Sequence, residues 1–393
     1  MRTRILFVMG FMQVGGIEKS LIRLCKALDP EKYNITVLIL SVGDGISNEL
    51  PDYVTKLFVS RKKTRSFEKQ YKCSLDYESI IDTLYNKSCN KIKKRMMYQA
   101  LKLETSYFKK YVKSLFVDEH FDVCVGFMQG EPSDIAMSCI NTKKKVVFYH
   151  HGTVFEFLND KEYYTTADKV IALSEGVKKD LINKRNVPED KIDVIHNVYD
   201  IDNIVEKSKE PCVYDREERL KIVTVARISP EKGILQAIQA AKTLKDNQKD
   251  FVWIFVGKNE GVYYEKCKQE IMKSDLAENV LFTGVQTNPY PFFRIADIYV
   301  QPSECEALPG TLVEALVLEK PIVSTRTYGA LELIKNGKNG LLCDFDSKEM
   351  FIKINELVNN HDLRQKLING SKESTICLEN EIDRYDELFE VNC

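Results

Sequence analysis

The stretch SECEALPGTLVEAL, residues 303–316, places two glutamates, Glu306 and Glu314, eight positions apart with a Pro-Gly pair between them. Eight residues leave the two side chains about 80° apart around an α-helix, so they would not share one helical face. Proline is tolerated in the first turn of a helix and breaks a helix further in, which places the helix start near Pro309 or Gly310. We therefore expect Glu306 in the preceding loop and Glu314 about one turn inside the helix.

This arrangement predicts an anion-binding mouth that is flanked by two carboxylates. The first backbone N–H groups of a helix have no partner within the helix, and they favour a bound anion. Two carboxylates would repel a bare phosphate, but they can accept hydrogen bonds from hydroxyl groups attached to that phosphate. The segment therefore favours a ligand that combines phosphate with hydroxylated groups such as a ribose and a sugar.

The bulk composition indicates a globular protein of two domains. The 393 residues are too many for one ordinary core, and the net charge of −1 with 44% hydrophobic residues gives no sign of a nucleic-acid partner. The opening MRTRILFVMGFMQVGG fits a strand and a glycine turn better than a signal peptide. No stretch reaches the roughly 18 apolar residues of a membrane span. We expect a cytoplasmic protein.

Short β-branched strands alternate with helical patterns, which is typical of parallel α/β layers. The first half contains RILFVMG, NITVLIL, FDVCVGF, KVVFYH, KVIAL and IDVIH, and the second half contains KIVTVAR, FVWIFVG, NVLFTG, ADIYVQ, PIVST and NGLLC. A polar segment without helical or strand period separates the two series. We predict Rossmann-like domains over residues 1–199 and 220–370, a linker over 200–219, and a helix over 371–393 that packs back on the first domain.

Two cations follow the first strand of the second series. In VARISPEKG, Arg227 comes directly after the strand, and Lys232 precedes a glycine that opens a helix. Ligands of open α/β sheets bind beyond the carboxyl ends of the strands, so both cations lie where they could neutralise a diphosphate. An arginine and a lysine five positions apart can also be ordinary surface charges.

The first half offers two similar strand ends. Gly15 and Gly16 open a helix after the first strand, which would let the backbone approach a ligand closely or simply form a tight turn. The pattern is not G-x-G-x-x-G, which argues against a nicotinamide cofactor. His150 and His151 end the strand KVVFYH before a glycine, where a histidine is either a core or turn residue or a group that faces a sugar.

No pattern in the sequence predicts a metal site or a disulfide framework. The eleven cysteines are scattered and include no C-x-x-C pair, which favours a reducing compartment. Two D-x-D patterns, at residues 200–202 and 344–346, are interpreted as solvated turns because no further metal ligands lie near them in sequence.

Taken together, these segments resemble the family 4 retaining glycosyltransferases, which have the GT-B fold of two Rossmann-like domains facing across a cleft. The resemblance is strongest from about residue 220 to 342, where VARISPEKG, FVGKNEG, NVLFTGV, the 303–316 stretch and NGKNGLLC occur in the family's order. It implies that the first domain binds the acceptor and the second a nucleotide-diphosphate-sugar, for which a UDP-linked donor is expected. It implies no metal and no other cofactor.

The resemblance also assigns roles to individual residues. Arg227 and Lys232 would stabilise the diphosphate as the glycosidic bond breaks, Glu306 would contact the donor sugar, and Glu314 the ribose. His151 matches the family's sugar-facing histidine better than His150 does. The remaining donor-binding residues would be Gly16, Gly310 and Thr311 at the phosphates, and Gly284 and Val285 beside the base.

The acceptor is expected to be a glycan, and a lipid-linked one is favoured by a basic segment. Residues 56–113 contain sixteen Lys or Arg against five Asp or Glu, which predicts either a solvated face or a surface that binds anionic lipid at the inner face of a membrane. The function favoured is surface-polysaccharide assembly. The alternatives are a non-catalytic GT-B partner protein, a sugar-nucleotide epimerase and a glycogen synthase-like enzyme.

Overall fold

The structure is a computed structural model, and it describes residues 2–41, 45–59, 105–154, 161–259, 261–375 and 381–391. The segment 60–104, which holds most of the basic stretch, lies outside the described residues. Two parallel β-sheets with helices on their faces make up the described chain. The predicted pair of Rossmann-like domains is therefore confirmed.

The first domain is built on a seven-stranded parallel sheet. Its strands are β1 (Thr3–Met9), β2 (Tyr33–Ile39), β3 (Thr55–Phe58), β4 (Phe121–Gly126), β5 (Thr142–Tyr149), β6 (Lys169–Ala172) and β7 (Ile192–Val194). They are ordered β3-β2-β1-β4-β5-β6-β7. The described helices that cover the faces of this sheet are α1 (Gly16–Ala27), α2 (105–115), α3 (Glu131–Cys139), α4 (Lys161–Thr166) and α5 (Glu175–Arg185).

The second domain has a six-stranded parallel sheet. Its strands are β8 (Leu220–Val225), β9 (Phe251–Val256), β10 (Val280–Gly284), β11 (Ile298–Gln301), β12 (Ile322–Thr325) and β13 (Leu341–Cys343). They are ordered β10-β9-β8-β11-β12-β13. Its helices are α6 (Ile201–Ser208), α7 (Ile234–Asp246), α8 (Gly261–Lys273), α9 (Tyr290–Ile295), α10 (Gly310–Val317), α11 (Tyr328–Leu333), α12 (Ser347–Asn359) and α13 (His361–Thr375).

The apolar runs in the sequence form strands because both faces of each sheet are covered. β9 is buried along its whole length, and Trp253 at its centre is fully enclosed. Parallel strands buried on both faces have nearly continuous apolar sequences, as the twelve runs identified in the sequence do. One strand, β3, was not predicted. It has only four residues, two polar ones followed by two apolar ones, and it lies beside β2 at the edge of the sheet.

The segment predicted as a linker, residues 200–219, contains a helix that was not predicted from the sequence. Residues Ile201–Ser208 form helix α6, which begins at Asp200, whose side chain accepts a hydrogen bond from the backbone N–H of Asn203 at 3.0 Å. Ile204 is buried in the second domain among α9 and α10. Ile201, Ile204 and Val205 do have helical spacing, but the helix is only eight residues long and stands among polar residues, and this short signal was overlooked.

The end of the chain returns to the first domain. Helix α14 (Glu381–Phe389) packs Tyr385, Leu388 and Phe389 into the core beneath β1 and β5. The ring of Phe389 meets that of Phe7 edge-on, with 5.8 Å between their centroids. The chain therefore crosses between the two domains twice, once before β8 and once before α14.

In each sheet the strand order reverses direction at the first strand, β1 or β8. The loop that follows each of these strands leads to a glycine at the start of a helix, Gly16 or Gly233. β1 lies between β2 and β4, and β8 lies between β9 and β11. Open α/β sheets bind ligands in the crevice at such switch points. The loop before Gly16, the loop after β8 and the loop after β11 are thereby placed for binding.

Candidate functional site

The 303–316 stretch folds as the sequence predicted. Pro309 is the residue before the first turn, with extended backbone, and α10 begins at Gly310. Leu312 donates its backbone N–H to the carbonyl of Pro309 at 3.0 Å, so Gly310 and Thr311 precede the first hydrogen bond of the helix. Glu306 lies in the loop and Glu314 one turn inside the helix. The predicted mouth at the start of α10 is present.

Glu306 is tied to Lys232 across this mouth. Lys232 Nζ donates to Glu306 Oε1 at 2.6 Å, and both side chains are largely buried, with exposed fractions of 19% and 14%. Ser303 Oγ and Gln301 Nε2 donate to the same oxygen, at 2.8 and 3.3 Å. The carboxylate predicted to face a sugar is therefore held next to the lysine predicted to bind phosphate.

Arg227 lies more openly at the end of β8. Its side chain is 52% exposed, and its guanidinium donates to Glu231 Oε1 at 3.0 Å. Burial acts to raise the pKa of Glu231, but the Ser229 hydroxyl and the Arg227 charge hold it below the ordinary value. Glu231 is thus a hydrogen-bonded partner of the Arg227 guanidinium, and the Arg227 side chain stays half-exposed.

The turn that presents Lys232 requires a glycine after it. Residues Pro230–Lys232 form a single 3-10 turn, and Gly233 then takes a φ of 66° as the residue before α7. A Cβ atom at Gly233 would lie 1.9 Å from the carbonyl oxygen of Pro302. Any other residue would therefore both strain the backbone and separate the Lys232 turn from the Glu306 loop.

The histidines after β5 approach the same loop from the first domain. His151 Nδ1 accepts a hydrogen bond from the backbone N–H of Thr153 at 3.0 Å. Burial lowers the pKa of His151, and the charges of Lys232 and Glu306 act on it in opposite directions. A Cβ atom at Gly152 would lie 2.5 Å from the backbone of Glu306, so the two domains touch here. The structure brings His151 to the predicted site.

His150 points elsewhere. Its ring stacks on Phe148 and lies 5.0 Å from the ring of Phe127 between centroids. Burial lowers its pKa to about 4. The Nε2 atom is closed off from solvent without a hydrogen-bond partner among the described residues. The side chain therefore belongs to the aromatic layer beneath the cleft rather than to its surface.

The start of α1 faces the end of β8. Gly16 is exposed, and a Cβ atom there would meet no atom within 4 Å, so a ligand could approach its backbone. Glu18 folds back toward Gly15 and is almost fully buried. Burial raises the pKa of Glu18, while its own backbone N–H and the charge of Arg227 oppose this shift. Arg227 is thus an electrostatic neighbour of the first domain.

Glu314 makes a contact that the sequence did not predict. Its Oε1 accepts a hydrogen bond at 2.7 Å from Arg23, which lies on α1 of the first domain. Arg23 also donates to the hydroxyl of Tyr290 at 3.2 Å, and its guanidinium lies over the ring of Tyr199. The residue assigned to a ribose is therefore paired with the opposite domain in this structure.

The edge strand β10 ends at Gly284, and Val285 is the next residue. Gly284 takes a φ of 73° at an irregularity in the register with β9, and its carbonyl accepts from the backbone N–H of Gly257 at 2.9 Å. Val285 is 51% exposed. An exposed apolar side chain beside an open glycine could pack against a flat ring, so the position remains compatible with the predicted base contact.

The two D-x-D patterns lie at helix starts. Asp200 is the residue before α6, and Asp346 accepts hydrogen bonds from the backbone N–H groups of Lys348 and Glu349 at the start of α12. Within the described ranges, no group of three or more His, Cys, Asp or Glu side chains could hold a metal ion. In the same ranges no helix has the length and apolar character needed to cross a bilayer.

Two family models match consecutive parts of the chain. The model described as Glycosyltransferase Family 4 matches residues 90–203, and the model described as Glycosyl transferases group 1 matches residues 206–374. The chain belongs to the family 4 glycosyltransferases. The boundary between the matches falls between the two β-sheets, and the second match contains Arg227, Lys232, Glu306 and Glu314.

Several curated relatives of this glycosyltransferase are similar over part of their length. An uncharacterized glycosyltransferase of Methanocaldococcus jannaschii is 26% identical over 73% of this chain and 72% of its own. The N-acetylgalactosamine-N,N'-diacetylbacillosaminyl-diphospho-undecaprenol 4-alpha-N-acetylgalactosaminyltransferase of Campylobacter jejuni is 27% identical over 53% and 56%. The capsular polysaccharide biosynthesis glycosyltransferase CapM of Staphylococcus aureus is 26% identical over 55% and 59%. The matches thus span little more than half of the last two relatives.

Solved structures match the whole glycosyltransferase. A glycosyltransferase from Rickettsia africae superposes with a TM-score of 0.72 at 21% identity, covering 99% of this chain and 98% of the other. Anabaena HepE in complex with UDP-glucose gives a TM-score of 0.73 at 17% identity, covering 98% and 100%. At these identities the likeness establishes the fold, and the predicted GT-B architecture is confirmed.

Sequence analysis did not identify three residues that hold the site together. Arg23 lies in the middle of α1 and has no local signal, because its partner is on the other domain. Glu231 lies between the two predicted cations, where a carboxylate looks like an ordinary turn residue. Gln301 did have a signal, since it is a polar residue at the end of the buried strand β11.

Proposed function

We propose that this glycosyltransferase transfers a sugar, with retention of anomeric configuration, from a UDP-sugar to a lipid-linked glycan in cell-surface polysaccharide assembly. The observation that supports this most is the contact between Lys232 and Glu306 at the mouth of α10. A cation for the leaving diphosphate and a carboxylate for sugar hydroxyls are needed side by side at the bond that breaks. A protein that only supports a partner has no need to keep such a buried pair of charges.

The donor would lie across the mouth of α10. Its phosphates would meet the backbone N–H groups of Gly310, Thr311 and Gly16, where helix starts favour anions. Glu314 would accept hydrogen bonds from the ribose, and the base would pack at Gly284 and Val285. UDP is favoured as the nucleotide because HepE, which shares this fold, was solved with UDP-glucose.

The chemistry we propose is attack on the face from which the diphosphate leaves. The C1–O bond to the β-phosphate breaks, the acceptor hydroxyl forms the new C1–O bond, and the departing phosphate oxygen takes the hydroxyl proton. Arg227 and Lys232 would stabilise the negative charge that develops on the leaving group, and His151 would contact the sugar. These two cations supply the charge stabilisation for which other enzymes use a metal ion.

The acceptor assignment has separate support. The Campylobacter relative is named for an undecaprenol-diphosphate acceptor, and CapM for capsular polysaccharide biosynthesis. The basic stretch 56–113 would place a cytoplasmic protein against the anionic inner face of the membrane where such acceptors lie. The domains would then divide the work, with the first binding the acceptor and the second the donor.

The test is incubation of the purified protein with UDP-glucose, UDP-galactose and their N-acetylamino forms, scored by release of free UDP. Release that increases when a lipid-linked glycan extract is added supports a transferase with that class of acceptor. Conversion of the sugar without release of UDP would indicate an epimerase instead. No release and no conversion with any donor would indicate a non-catalytic partner protein.

A further inference from the structure

Gln301 is a buried amide at the end of β11, with a side chain that contacts both parts of the site. Only 1% of its surface is exposed. Its Oε1 accepts hydrogen bonds from the hydroxyls of Tyr299 at 2.6 Å and Thr311 at 2.9 Å. Its Nε2 donates to Ser303 Oγ at 2.8 Å and to Glu306 Oε1 at 3.3 Å. One side chain therefore joins the Glu306 loop to the start of α10.

The direction of these hydrogen bonds is fixed by chemistry. An ionised carboxylate can only accept, so the atom of Gln301 that faces Glu306 must be the donor nitrogen. The amide oxygen then faces the two hydroxyls of Tyr299 and Thr311, which can both donate. Ser303 Oγ accepts a hydrogen bond from the Gln301 amide and donates its own hydroxyl hydrogen bond to Glu306 Oε1. Every donor in this network therefore faces an acceptor.

The network engages only one oxygen of Glu306. Lys232, Ser303 and Gln301 all donate to Oε1, and within the described ranges no hydrogen bond ends on Oε2. Three donors fill the capacity of one carboxylate oxygen. The side chain is thus held in one orientation, in which Oε2 remains the acceptor that a ligand can use.

Thr311 is affected by the same network. Its hydroxyl proton is used in the hydrogen bond to Gln301, so its backbone N–H is the donor left for an anion at the mouth of α10. Gln301 therefore fixes the distance between Glu306, which would bind sugar hydroxyls, and the start of α10, which would bind phosphate. A ligand that carries both groups would depend on that distance.

We propose that Gln301 is a positioning residue that holds Glu306 Oε2 toward a hydroxyl of the donor sugar while fixing it relative to the phosphate-binding start of α10. This inference rests on the proposed function, because it assumes that Glu306 contacts the sugar. Gln301 itself touches no substrate. Its loss should therefore reduce turnover while the affinity for UDP, which lacks the sugar, stays as in the wild-type protein.

The first experiment measures UDP release and calorimetric UDP binding for Gln301→Leu. Loss of a hydrogen bond to a charged group predicts a kcat lower by about tenfold to a hundredfold. Ser303→Ala removes a different donor to the same oxygen with a smaller change in volume, and it should show the same separation between kcat and UDP affinity. It also keeps the inference testable if Gln301→Leu does not fold.

Thr224→Val is the matched control. Thr224 is as buried as Gln301, and its hydroxyl bonds the carbonyl of Val300 at 2.8 Å and accepts from Trp253 at 3.1 Å. It lies in the same sheet but has no hydrogen bond to Glu306. The control should lower the melting temperature as a buried polar substitution does, with kcat unchanged.

A double-mutant cycle separates positioning from general loss of structure. If Gln301 acts through Glu306, adding Gln301→Leu to Glu306→Gln should lower kcat no further. A double variant whose kcat falls by the product of the two single-variant factors would overturn the inference. Wild-type kcat in Gln301→Leu would also overturn it, as would a loss of UDP affinity as large as the loss of kcat. Absence of UDP release from the wild-type protein would overturn the proposed function and this inference together, so the two failures are distinguishable.

Discussion

Arg23 and Glu314 are separated by 291 positions in the sequence, and a hydrogen-bonded ion pair of 2.7 Å joins them across the two domains. Their side chains are only 16% and 8% exposed. Burial alone would lower the pKa of Arg23, but the charge of Glu314 raises it above the ordinary value, so the guanidinium stays charged. The pair connects α1, which begins at the predicted phosphate contact, to α10, the helix that carries Glu314.

Removal of Arg23 should destabilise the protein because it leaves Glu314 buried without a counter-charge. We expect Arg23→Met to lower the free energy of unfolding by about 3 kcal/mol. Adding Glu314→Gln should restore part of this loss, since the second change removes the unpaired charge. Urea unfolding of the two single variants and the double variant tests this, and strictly additive losses would contradict it.

Loss of Arg227 should reduce catalysis without unfolding the protein. Removal of one preorganised donor costs on the order of 3 kcal/mol in transition-state stabilisation, so Arg227→Ala should lower kcat about a hundredfold. Arg219→Ala is the matched control, because Arg219 precedes β8 at its opposite end and bonds Glu217 at 2.8 Å. Near wild-type UDP release by folded Arg227→Ala would show that this residue does not act on the leaving group.

The two carboxylates should have separable effects. Glu314→Gln is expected to weaken binding of bare UDP because Glu314 is assigned to the ribose. Glu306→Gln should mainly reduce turnover or change sugar preference, since UDP has no sugar for Glu306 to contact. Calorimetric titration of UDP into both variants decides between these roles. Equal losses of affinity would mean that the division of roles is wrong.

The basic stretch should bind anionic membranes. Each lysine or arginine near an anionic surface contributes roughly 1 kcal/mol, which salt screens. We expect flotation with vesicles of phosphatidylglycerol at low salt but not with neutral vesicles. Changing Lys91, Lys93, Lys94 and Arg95 to glutamine should abolish it.

The matched control for the membrane prediction removes four lysines from the second domain. Glutamine at Lys242, Lys245, Lys249 and Lys273 changes the net charge by the same amount and should leave flotation intact. Equal flotation with anionic and neutral vesicles would favour the alternative interpretation, in which the basic stretch is only a solvated face. Loss of flotation in both quadruple variants would mean that total charge, not location, determines binding.

His150 should make stability depend on pH. Its pKa falls from the ordinary 6.5 to about 4 in the folded protein, so the unfolded chain takes up a proton first as the pH drops. The stability that the neutral ring contributes is present above pH 6.5 and is lost as the pH falls toward 4. At pH 5 the loss should be on the order of 1–2 kcal/mol relative to pH 7.

His150→Phe checks the pH prediction because phenylalanine matches the rings of Phe127 and Phe148 around it. Unfolding free energies of both proteins at pH 7 and pH 5 give the comparison. The variant should lose less stability between these two pH values than the wild-type protein does. An identical pH dependence would place the responsible group elsewhere.

The sequence predicted most of the fold because strand patterns are local. Twelve of the thirteen described strands follow apolar runs, and the missing one, β3, is a four-residue edge strand with only two apolar residues. The start of α10 was also predictable, since Pro309 restricts a helix through its own ring. Helix α6 was not predicted, because its apolar spacing covers only three residues, Ile201, Ile204 and Val205, within a polar segment.

The sequence by itself determined the two-domain α/β architecture, the loop position of Glu306, the helical position of Glu314 and the strand-end position of Arg227. These follow from the period of apolar residues, from the restricted backbone of proline and from the wide conformational freedom of glycine. Only the tertiary structure decided that Lys232 meets Glu306, that Gln301 holds one of its oxygens, and that Arg23 pairs with Glu314. Such contacts join residues that are distant in the chain, and their formation depends on how whole elements pack, which no local pattern encodes.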